Sequence, residues 1–241
     1  MAAGHDLVLV ARRAHRLADL AQELRAGGAA VEVLPADLAT ADGVTAVTER
    51  LAAGDVRTLI SNAGAGGYAP LTDVDPDGID RLLTLNAVAP IRLARAALPA
   101  MLAAGEGTIV TVASLLAFSA GSTDPRAPRR TLYVAAKAAT LGFTRTLAGE
   151  LAGTPIRVQV LCPGVVATEW NGGAGHAIPW AMSPDDVVTA SLAGLRLGET
   201  VCVPGLEDRT AALDALLAAE TTLLTGGNRP ALAARYTGAP A

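Results

Sequence analysis

Short apolar runs rich in branched residues alternate with longer segments of helical periodicity along almost the whole chain. The runs are DLVLVA, AVEVLPA, VRTLISNAG, GTIVTVAS, IRVQVLCPG and TVCVPG. In the segments between them, apolar residues recur every three or four positions, as on one face of a helix. Continuously apolar strands that alternate with helices are typical of a parallel sheet covered on both faces. The sequence therefore predicts an α/β fold with a doubly wound parallel sheet, in a single domain over 1–241 with a helical C-terminal cap at 210–241.

Charge, cysteine content and hydropathy exclude several classes of function. The net charge of −4 gives no reason to expect nucleic acid or an anionic membrane as partner. Cys162, Cys202 and three scattered histidines show no metal-ligand spacing, so we predict no metal site. No uninterrupted apolar run reaches transmembrane length and the N-terminus has no signal-peptide pattern, so we expect a soluble, cytoplasmic protein.

The predicted helix TLYVAAKAATLGFTRTLAGEL contains a tyrosine and a lysine four residues apart. Four residues is just over one helical turn, so Tyr133 and Lys137 project from the same face and can meet. Such a pair is often only a tyrosine at the edge of a core beside a solvated lysine. Lys137 is, however, the only lysine in a chain that otherwise uses arginine for positive charge. An ammonium group is compact and its pKa can be tuned, which gives a chemical reason for lysine at this position.

Further unusual residues follow the predicted strands, where parallel sheets bind ligands. Arg12 and Arg13 follow the first strand, where an arginine suits the 2′-phosphate of a dinucleotide, although both could be solvated residues at the start of a helix. Asp37 and Leu38 follow the second strand and could contact adenine or cap a helix. In the SNAG segment after the third strand, Gly64 allows the backbone to approach a ligand closely.

Three more features complete this set of candidate residues. Ser114 follows the fourth strand, and Asn86 is a poor helix former in the middle of a predicted helix, so something other than propensity should explain it. The segment CPGVVAT forms a turn after the fifth strand that could hold a nicotinamide.

Taken in order along the chain, these motifs resemble the short-chain dehydrogenase/reductase family over about residues 4–205. The matching segments are NAG, the asparagine of LNAVAP, the serine of VTVAS, YVAAK and PGVVAT. The resemblance implies a Rossmann-like fold and a catalytic set of Asn86, Ser114, Tyr133 and Lys137. It also implies a nicotinamide cofactor, NADP(H) rather than NAD(H), bound by the following residues: Arg12, Arg13, Asp37, Leu38, Asn62, Ala63, Gly64, Tyr133, Lys137, Pro163, Gly164, Val166 and Thr168.

The family chemistry gives each catalytic residue a role. Tyr133 would protonate a carbonyl oxygen while hydride arrives at the carbonyl carbon, and Lys137 would lower the tyrosine's pKa and bind the nicotinamide ribose. Ser114 would hydrogen-bond the substrate carbonyl. Asn86 would distort its helix to hold a water that supplies protons to Lys137.

The chain departs from the family pattern at its N-terminus. The family begins with a strand and a glycine-rich phosphate loop, whereas MAAGHDLVLVARR matches the end of the helix that follows this loop, and then the second strand. We therefore expect the family's first, central strand to be absent from the sheet. Two explanations stay open: about 30 upstream residues were lost through a wrongly assigned start or a deliberate cut, or the chain is a noncatalytic descendant.

A second departure is the separation of Ser114 and Tyr133, several residues more than is usual in the family. The excess lies in the Pro- and Arg-rich segment STDPRAPRR, 122–130, which is either the rim of an active site for an anionic substrate or a plain surface loop. This segment and the loop from Val165 to Ser183 would determine the substrate.

The main functional hypothesis is an NADPH-dependent carbonyl reductase or alcohol dehydrogenase for a small ketone or secondary alcohol, working as a homodimer or homotetramer. The alternative is a catalytically silent binding or scaffold protein that has lost the phosphate loop. An epimerase or dehydratase would require an extended C-terminal substrate domain, which the sequence does not show.

Overall fold

The computed structural model describes residues 4–124 and 129–237 and confirms the predicted alternation of strands and helices. The strands are β1 Leu7–Ala11, β2 Val31–Pro35, β3 Thr58–Ser61, β4 Gly107–Val112, β5 Ile156–Leu161 and β6 Val201–Cys202. The helices are α1 Ala14–Ala26, α2 Ala41–Leu51, α3 Pro76–Leu83, α4 Ala89–Ala104, α5 Thr131–Glu150, α6 Trp170–Gly173, α7 Pro184–Arg196 and α8 Arg209–Gly227.

The strands are all parallel, but they form two sheets instead of one. β1 pairs with β2, whereas β3, β4, β5 and β6 form a four-stranded sheet in that order. Among the described residues, no ladder hydrogen bonds join β1 to β3, so each of these strands has one edge without a strand partner. The predicted doubly wound parallel sheet without the family's first strand is thus confirmed, and the sheet is divided between β1 and β3. Ile60 on β3 is 61% exposed, an unusual environment for an isoleucine in such a sheet.

One apolar core spans both sheets. Leu59 on β3, Ile109 on β4 and Val158 on β5 pack against Leu93, Met101 and other residues of α4. Val10 on β1 and Leu34 on β2 pack against the same cluster. Apolar contacts therefore link the two-stranded sheet to the four-stranded one although their strands are not hydrogen-bonded to each other.

The long helical segment after β3 has a defined start and an interruption. Asp75 caps α3 by accepting a hydrogen bond from the Gly78 N–H at 3.3 Å, and Pro76 occupies the first turn as predicted. Between α3 and α4, residues Thr84–Val88 form one turn of π-helix. The whole segment Pro76–Ala104 is long and apolar enough to cross a membrane by length and composition alone, a test that the core helix of a soluble protein also passes.

Residues 205–241 form a second compact unit, and residues 1–204 form the first. Within the second unit, α8 accounts for the helical pattern expected in this part of the chain. Asp208 caps α8 by accepting a hydrogen bond from the Ala211 N–H at 3.1 Å. Leu217, Leu223 and Leu224 on α8 are each more than half exposed.

Replacement of glycine by alanine should change the free energy of unfolding in opposite directions at two positions. Gly43 lies in the first turn of α2, and a β-carbon there would lie 2.1 Å from the backbone oxygen of Asp37. Gly142 lies on the exposed side of α5, where a β-carbon would meet no atom within 4 Å. We expect Gly43→Ala to lower the free energy of unfolding by about 1–3 kcal/mol, because backbone must shift. Gly142→Ala should raise it by about 0.5–1 kcal/mol. Urea unfolding of both variants checks this, and equal effects would contradict the described packing of the α2 N-terminus.

Candidate active site

Three hydroxyl groups meet beyond the carboxyl end of β4. Ser114 follows β4, and its Oγ accepts a hydrogen bond from the Leu116 N–H at 3.1 Å, which fixes the side chain at the start of a short 3₁₀ turn. Tyr133 lies in the first turn of α5, is only 5% exposed, and its side chain interacts with those of Ser114 and Tyr68. The ring of Tyr68 is tilted against that of Tyr133 with the centroids 5.1 Å apart. The predicted pairing of Ser114 with Tyr133 is therefore present, and Tyr68 joins it.

The surroundings of Tyr133 favour its protonated form. Burial raises the pKa of Tyr133 above its ordinary value, the neighbouring Tyr68 raises it further, and the hydrogen bond with Ser114 lowers it. The sequence led us to expect that Lys137 would lower this pKa, but the desolvation of the buried phenol dominates here. A phenol that stays protonated is in the state required of a proton donor.

Lys137 lies one turn after Tyr133 on α5, on the same face, as predicted. Its Nζ lies 5.8 Å from the centroid of the Tyr133 ring and donates a hydrogen bond to the Val112 carbonyl at 2.8 Å. The side chain is almost fully buried, and burial lowers the pKa of Lys137 from 10.5 to about 8, although Cys162 opposes the shift slightly. The ammonium group is therefore oriented by the end of β4 and gives up its proton more readily than a solvated lysine.

The lowered pKa of Lys137 predicts a specific dependence of stability on pH. Between about 8 and 10.5 the unfolded chain binds more protons at this position than the folded chain does. The free energy of unfolding therefore rises with pH in this window, and it changes little below it. We expect wild type to gain about 1–2 kcal/mol relative to Lys137→Met between pH 7.5 and 9.5, measured by urea unfolding. Other groups titrate alike in wild type and in Lys137→Met, so parallel profiles of unfolding free energy against pH would contradict the lowered pKa of Lys137.

The π-helical turn explains why an asparagine stands at position 86. The side chain of Asn86 donates a hydrogen bond to the Ala65 carbonyl at 2.9 Å and accepts one from the Ala65 N–H at 3.1 Å. Its own carbonyl accepts a hydrogen bond from the Thr140 hydroxyl at 2.6 Å. A π-turn leaves helix carbonyls without their usual partners, and Thr140 satisfies one of them from the turn of α5 that follows Lys137. The side chain of Asn86 is thus bonded to the loop after β3, and its backbone carbonyl is hydrogen-bonded to Thr140 of α5. Asn86 therefore ties this loop to α5.

The loop after β3 passes so close to this asparagine that only glycine fits at position 64. A β-carbon on Gly64 would lie 2.8 Å from the Asn86 Oδ1 and 3.5 Å from the Lys137 Nζ. Asn62 and Ala63 precede it directly after β3. The close approach predicted from the SNAG segment is therefore observed, and it is made to Asn86. The space beside Gly64 and Lys137 is the place where the nicotinamide ribose was expected.

The arginines after β1 lie at the exposed start of α1. Arg13 lies 3.8 Å from the carboxylate of Glu169, and Arg16, one turn into the helix, donates a hydrogen bond to the same carboxylate at 2.6 Å. Arg16, with Arg13 contributing, lowers the pKa of Glu169. Arg12 is exposed. The start of α1 therefore attracts an anion, and the carboxylate of Glu169 lies where the sequence led us to expect a 2′-phosphate.

Asp37 and Leu38 have structural roles in the turn between β2 and α2. Asp37 accepts a hydrogen bond from the Ala39 N–H at 3.0 Å through its side chain, and its carbonyl accepts one from the Thr40 hydroxyl at 2.8 Å. Leu38 packs against the main core. The cap of α2 is Thr40, whose hydroxyl accepts a hydrogen bond from the Gly43 N–H at 3.1 Å, so this pair lies in the turn before the cap. Contact of Asp37 and Leu38 with adenine stays a prediction.

The segment after β5 returns to the site. The Pro163 carbonyl accepts a hydrogen bond from the Leu115 N–H at 2.9 Å, and Gly164 packs against the same leucine. Val166 forms an isolated parallel bridge with Met182, and the Thr168 Oγ1 accepts a hydrogen bond from the Trp170 N–H at 3.2 Å. In the rim segment 122–130, residues 125–128 lie outside the described residues, and the side chain of Arg130 donates a hydrogen bond to the Ser119 hydroxyl at 3.1 Å.

Sequence reasoning missed two aromatic residues at this site. Tyr68 contacts Tyr133 directly, and the ring centroid of Trp170 lies 6.3 Å from that of Tyr133 in an edge-on arrangement. Tyr68 lies in an irregular loop and Trp170 begins the four-residue helix α6, and neither segment has enough periodicity to show the direction of a side chain. The scarcity of aromatic residues, 3% of the chain, was the available signal.

Comparison with known proteins agrees with this geometry. The family model for short chain dehydrogenases matches residues 1–178. A short chain dehydrogenase of the fungus Pseudocercospora fijiensis is 34% identical over 194 residues, 78% of this chain and 57% of that protein.

Two solved structures are similar to nearly the whole chain. A short-chain dehydrogenase from Sphingobium yanoikuyae in complex with NADPH has a TM-score of 0.88 and 36% identity, covering 97% of this chain and 90% of its own. The bulky-bulky ketone specific alcohol dehydrogenase from Comamonas testosteroni has a TM-score of 0.86 and 31% identity, covering 97% and 89%. This chain belongs to the short chain dehydrogenase family.

Proposed function

We propose that the protein is an NADPH-dependent carbonyl reductase or alcohol dehydrogenase acting on a ketone or secondary alcohol. The observation that carries the proposal is the buried side chain of Tyr133 beside Ser114, with Lys137 on the next turn of the same helix face. A protonated phenol beside a second hydroxyl is the arrangement needed to receive a carbonyl oxygen.

The residues present fit both ends of a nicotinamide dinucleotide. Lys137, whose Nζ lies 3.5 Å from the position of a β-carbon on Gly64, suits the nicotinamide ribose. Arg12 and Arg13 at the start of α1 suit a 2′-phosphate. Neither α1 nor α2 begins with a glycine-rich turn in the described residues. The middle of the dinucleotide would lie between β1 and β3, and these strands are not paired with each other. The proposal therefore assigns the two ends of the cofactor to residues of this chain and leaves its pyrophosphate unassigned.

The chemistry follows from the positions of the side chains. A bound nicotinamide supplies or accepts the hydride. Tyr133 donates its phenolic proton to the carbonyl oxygen in reduction and recovers it in oxidation, and Ser114 donates a hydrogen bond to the same oxygen. The positive charge of Lys137 favours the phenolate that forms when the proton leaves. The burial of Tyr133 excludes water, which strengthens these interactions.

The related structures support the type of substrate and cofactor. The similar enzyme from C. testosteroni is named for bulky-bulky ketones and the one from S. yanoikuyae was solved with NADPH. We assign to this chain a ketone substrate and NADP(H), with Pro163, Gly164, Val166 and Thr168 in the segment beside the nicotinamide. Since the family is typically soluble and commonly oligomeric, we further assign the protein to the cytoplasm as a homodimer or homotetramer.

A second candidate function is a silent binding protein that retains the sheet but does not bind dinucleotide. The division of the sheet between β1 and β3 favours it, because a dinucleotide would cross the sheet at this point. Titration with NADPH separates the two candidates. Saturable binding with turnover of a ketone supports the reductase, and no binding at millimolar NADPH supports the silent protein.

The arginines after β1 predict which nicotinamide cofactor is preferred. A charge-assisted contact to the 2′-phosphate contributes about 1.5–3 kcal/mol, or roughly 10- to 150-fold. We expect kcat/KM to favour NADPH over NADH by this order, and Arg12→Ser to remove most of the preference while leaving the rate with NADH unchanged. Initial rates of ketone reduction with both cofactors test this, and equal efficiencies in wild type would refute the role of Arg12 and Arg13.

A further inference from the structure

Most of the few aromatic residues of this chain lie on segments that follow strands of the four-stranded sheet, and two of them pack on Tyr133. The chain has two tryptophans, three tyrosines and two phenylalanines. Both tryptophans, two of the tyrosines and one phenylalanine lie on the segments that follow β3, β4 and β5 or on the first turn of α5. These residues are Tyr68, Phe118, Tyr133, Trp170 and Trp180. In a core built from Ala, Val and Leu, packing does not require aromatic residues at these positions.

Tyr68 and Trp170 lie against opposite parts of one glycine. A β-carbon on Gly66 would lie 3.2 Å from the Tyr68 ring and 3.7 Å from the Trp170 ring. Both rings also pack on Tyr133, with centroid distances of 5.1 and 6.3 Å. The three rings therefore form one continuous aromatic surface, whose close packing depends on a residue without a side chain.

This aromatic surface lies on the way to the reactive hydroxyl. Tyr133 is 5% exposed whereas Trp170 is 36% exposed, and Tyr68 is partly buried. Tyr133 is flanked by Ser114 and Tyr68, so a carbonyl oxygen that reaches its hydroxyl lies beside both residues. A group attached to that carbonyl then lies beside the rings of Tyr68 and Trp170.

The position of Trp170 is fixed at its backbone and by its neighbour. Its backbone N–H donates a hydrogen bond to the Thr168 Oγ1 at 3.2 Å. Glu169 accepts a hydrogen bond from Arg16 of α1 at 2.6 Å, which connects this segment to a helix 153 positions earlier in the chain. These two hydrogen bonds fix the backbone at Trp170, whose ring packs edge-on against that of Tyr133.

We propose that the site selects ketones that carry an aryl group next to the carbonyl, with the aryl ring packed against Tyr68 and Trp170. This inference rests on the proposed reductase function and names its substrate class. Aromatic pairs gain affinity beyond the area they bury when they stack offset or edge-on. Two such contacts correspond to about a tenfold preference over a saturated ring of similar size.

Steady-state kinetics with a matched pair of ketones test the selection. Propiophenone and cyclohexyl ethyl ketone differ in the aromaticity of one ring, and the ratio of their kcat/KM values, compared between variants, cancels their intrinsic reactivities. We expect Trp170→Leu and Tyr68→Leu each to lower the aryl-to-cyclohexyl ratio several-fold, and Trp170→Phe, which keeps a ring, to retain most of it. An unchanged ratio in both leucine variants overturns the inference even when both ketones are reduced.

A binding experiment tests the inference without turnover. Trp180→Phe leaves Trp170 as the only tryptophan, and Trp170→Phe leaves Trp180, which is 78% exposed. Propiophenone should quench Trp170 fluorescence with a saturable curve and Trp180 fluorescence only in proportion to its concentration, as expected of collisions. Saturable quenching of Trp170 in a chain that reduces neither ketone supports the aryl site and contradicts the reductase. Linear quenching of both tryptophans overturns the aryl site.

Discussion

Tyr133→Phe is expected to lower kcat for ketone reduction by about 10²- to 10⁴-fold, the usual contribution of a positioned general acid. Phenylalanine keeps the ring that packs against Tyr68 and Trp170 and removes only the hydroxyl beside Ser114. The binding of NADPH should stay within a few-fold of wild type, because the ring and the neighbouring Lys137 remain. Initial rates and a nucleotide titration measure the two quantities separately.

The matched control is Tyr236→Phe. Tyr236 is 66% exposed, so the same chemical change should leave kcat unaltered. A Tyr133→Phe enzyme that retained a tenth of the wild-type rate would assign the proton to another group, and Tyr68 would be the first candidate because its hydroxyl already contacts this position.

Asn86→Ala is expected to lower the free energy of unfolding by about 2–4 kcal/mol. Asn86 is 1% exposed, and both of its side-chain hydrogen bonds go to the backbone of Ala65. Alanine leaves the Ala65 N–H and carbonyl without those partners, and each buried unpaired group costs about 1–3 kcal/mol. The loop that contains Gly64 should loosen as well, so NADPH should bind more weakly.

Chemical unfolding in urea gives the loss of stability, and Asn228→Ala serves as its control. Asn228 is exposed at the end of α8 and should change the free energy of unfolding by no more than about 0.5 kcal/mol. Equal midpoints for Asn86→Ala and wild type would mean that the described clamp on Ala65 does not form.

Much of the fold could be predicted because its signals are local. Strand and helix periodicity and the Asp75 cap each act within a few residues, and the structure bears them out. The spacing of Tyr133 and Lys137 on one helix face was equally local. The division of the sheet followed from a comparison of the chain with its family pattern, since no local signal reports an absent neighbour.

The rest of the site depends on long-range contacts that a pattern does not encode. Tyr68 reaches Tyr133 across 65 positions of sequence through an irregular loop. Glu169 takes the position beside Arg13 and Arg16 that an anionic ligand was expected to occupy. Lys137 points to the Val112 carbonyl, and burial raises the pKa of Tyr133, because desolvation depends on every residue packed around the phenol.

The most direct test of the reductase assignment is the fate of the transferred hydrogen. Incubation of the protein with propiophenone and NADPH that carries deuterium at the transferable position of the nicotinamide should yield 1-phenyl-1-propanol with one deuterium on the carbinol carbon, detected by mass spectrometry. The same incubation with Tyr133→Phe should yield at most a trace. Unlabelled alcohol, or no alcohol from wild type while NADPH binds, would contradict hydride transfer at this site.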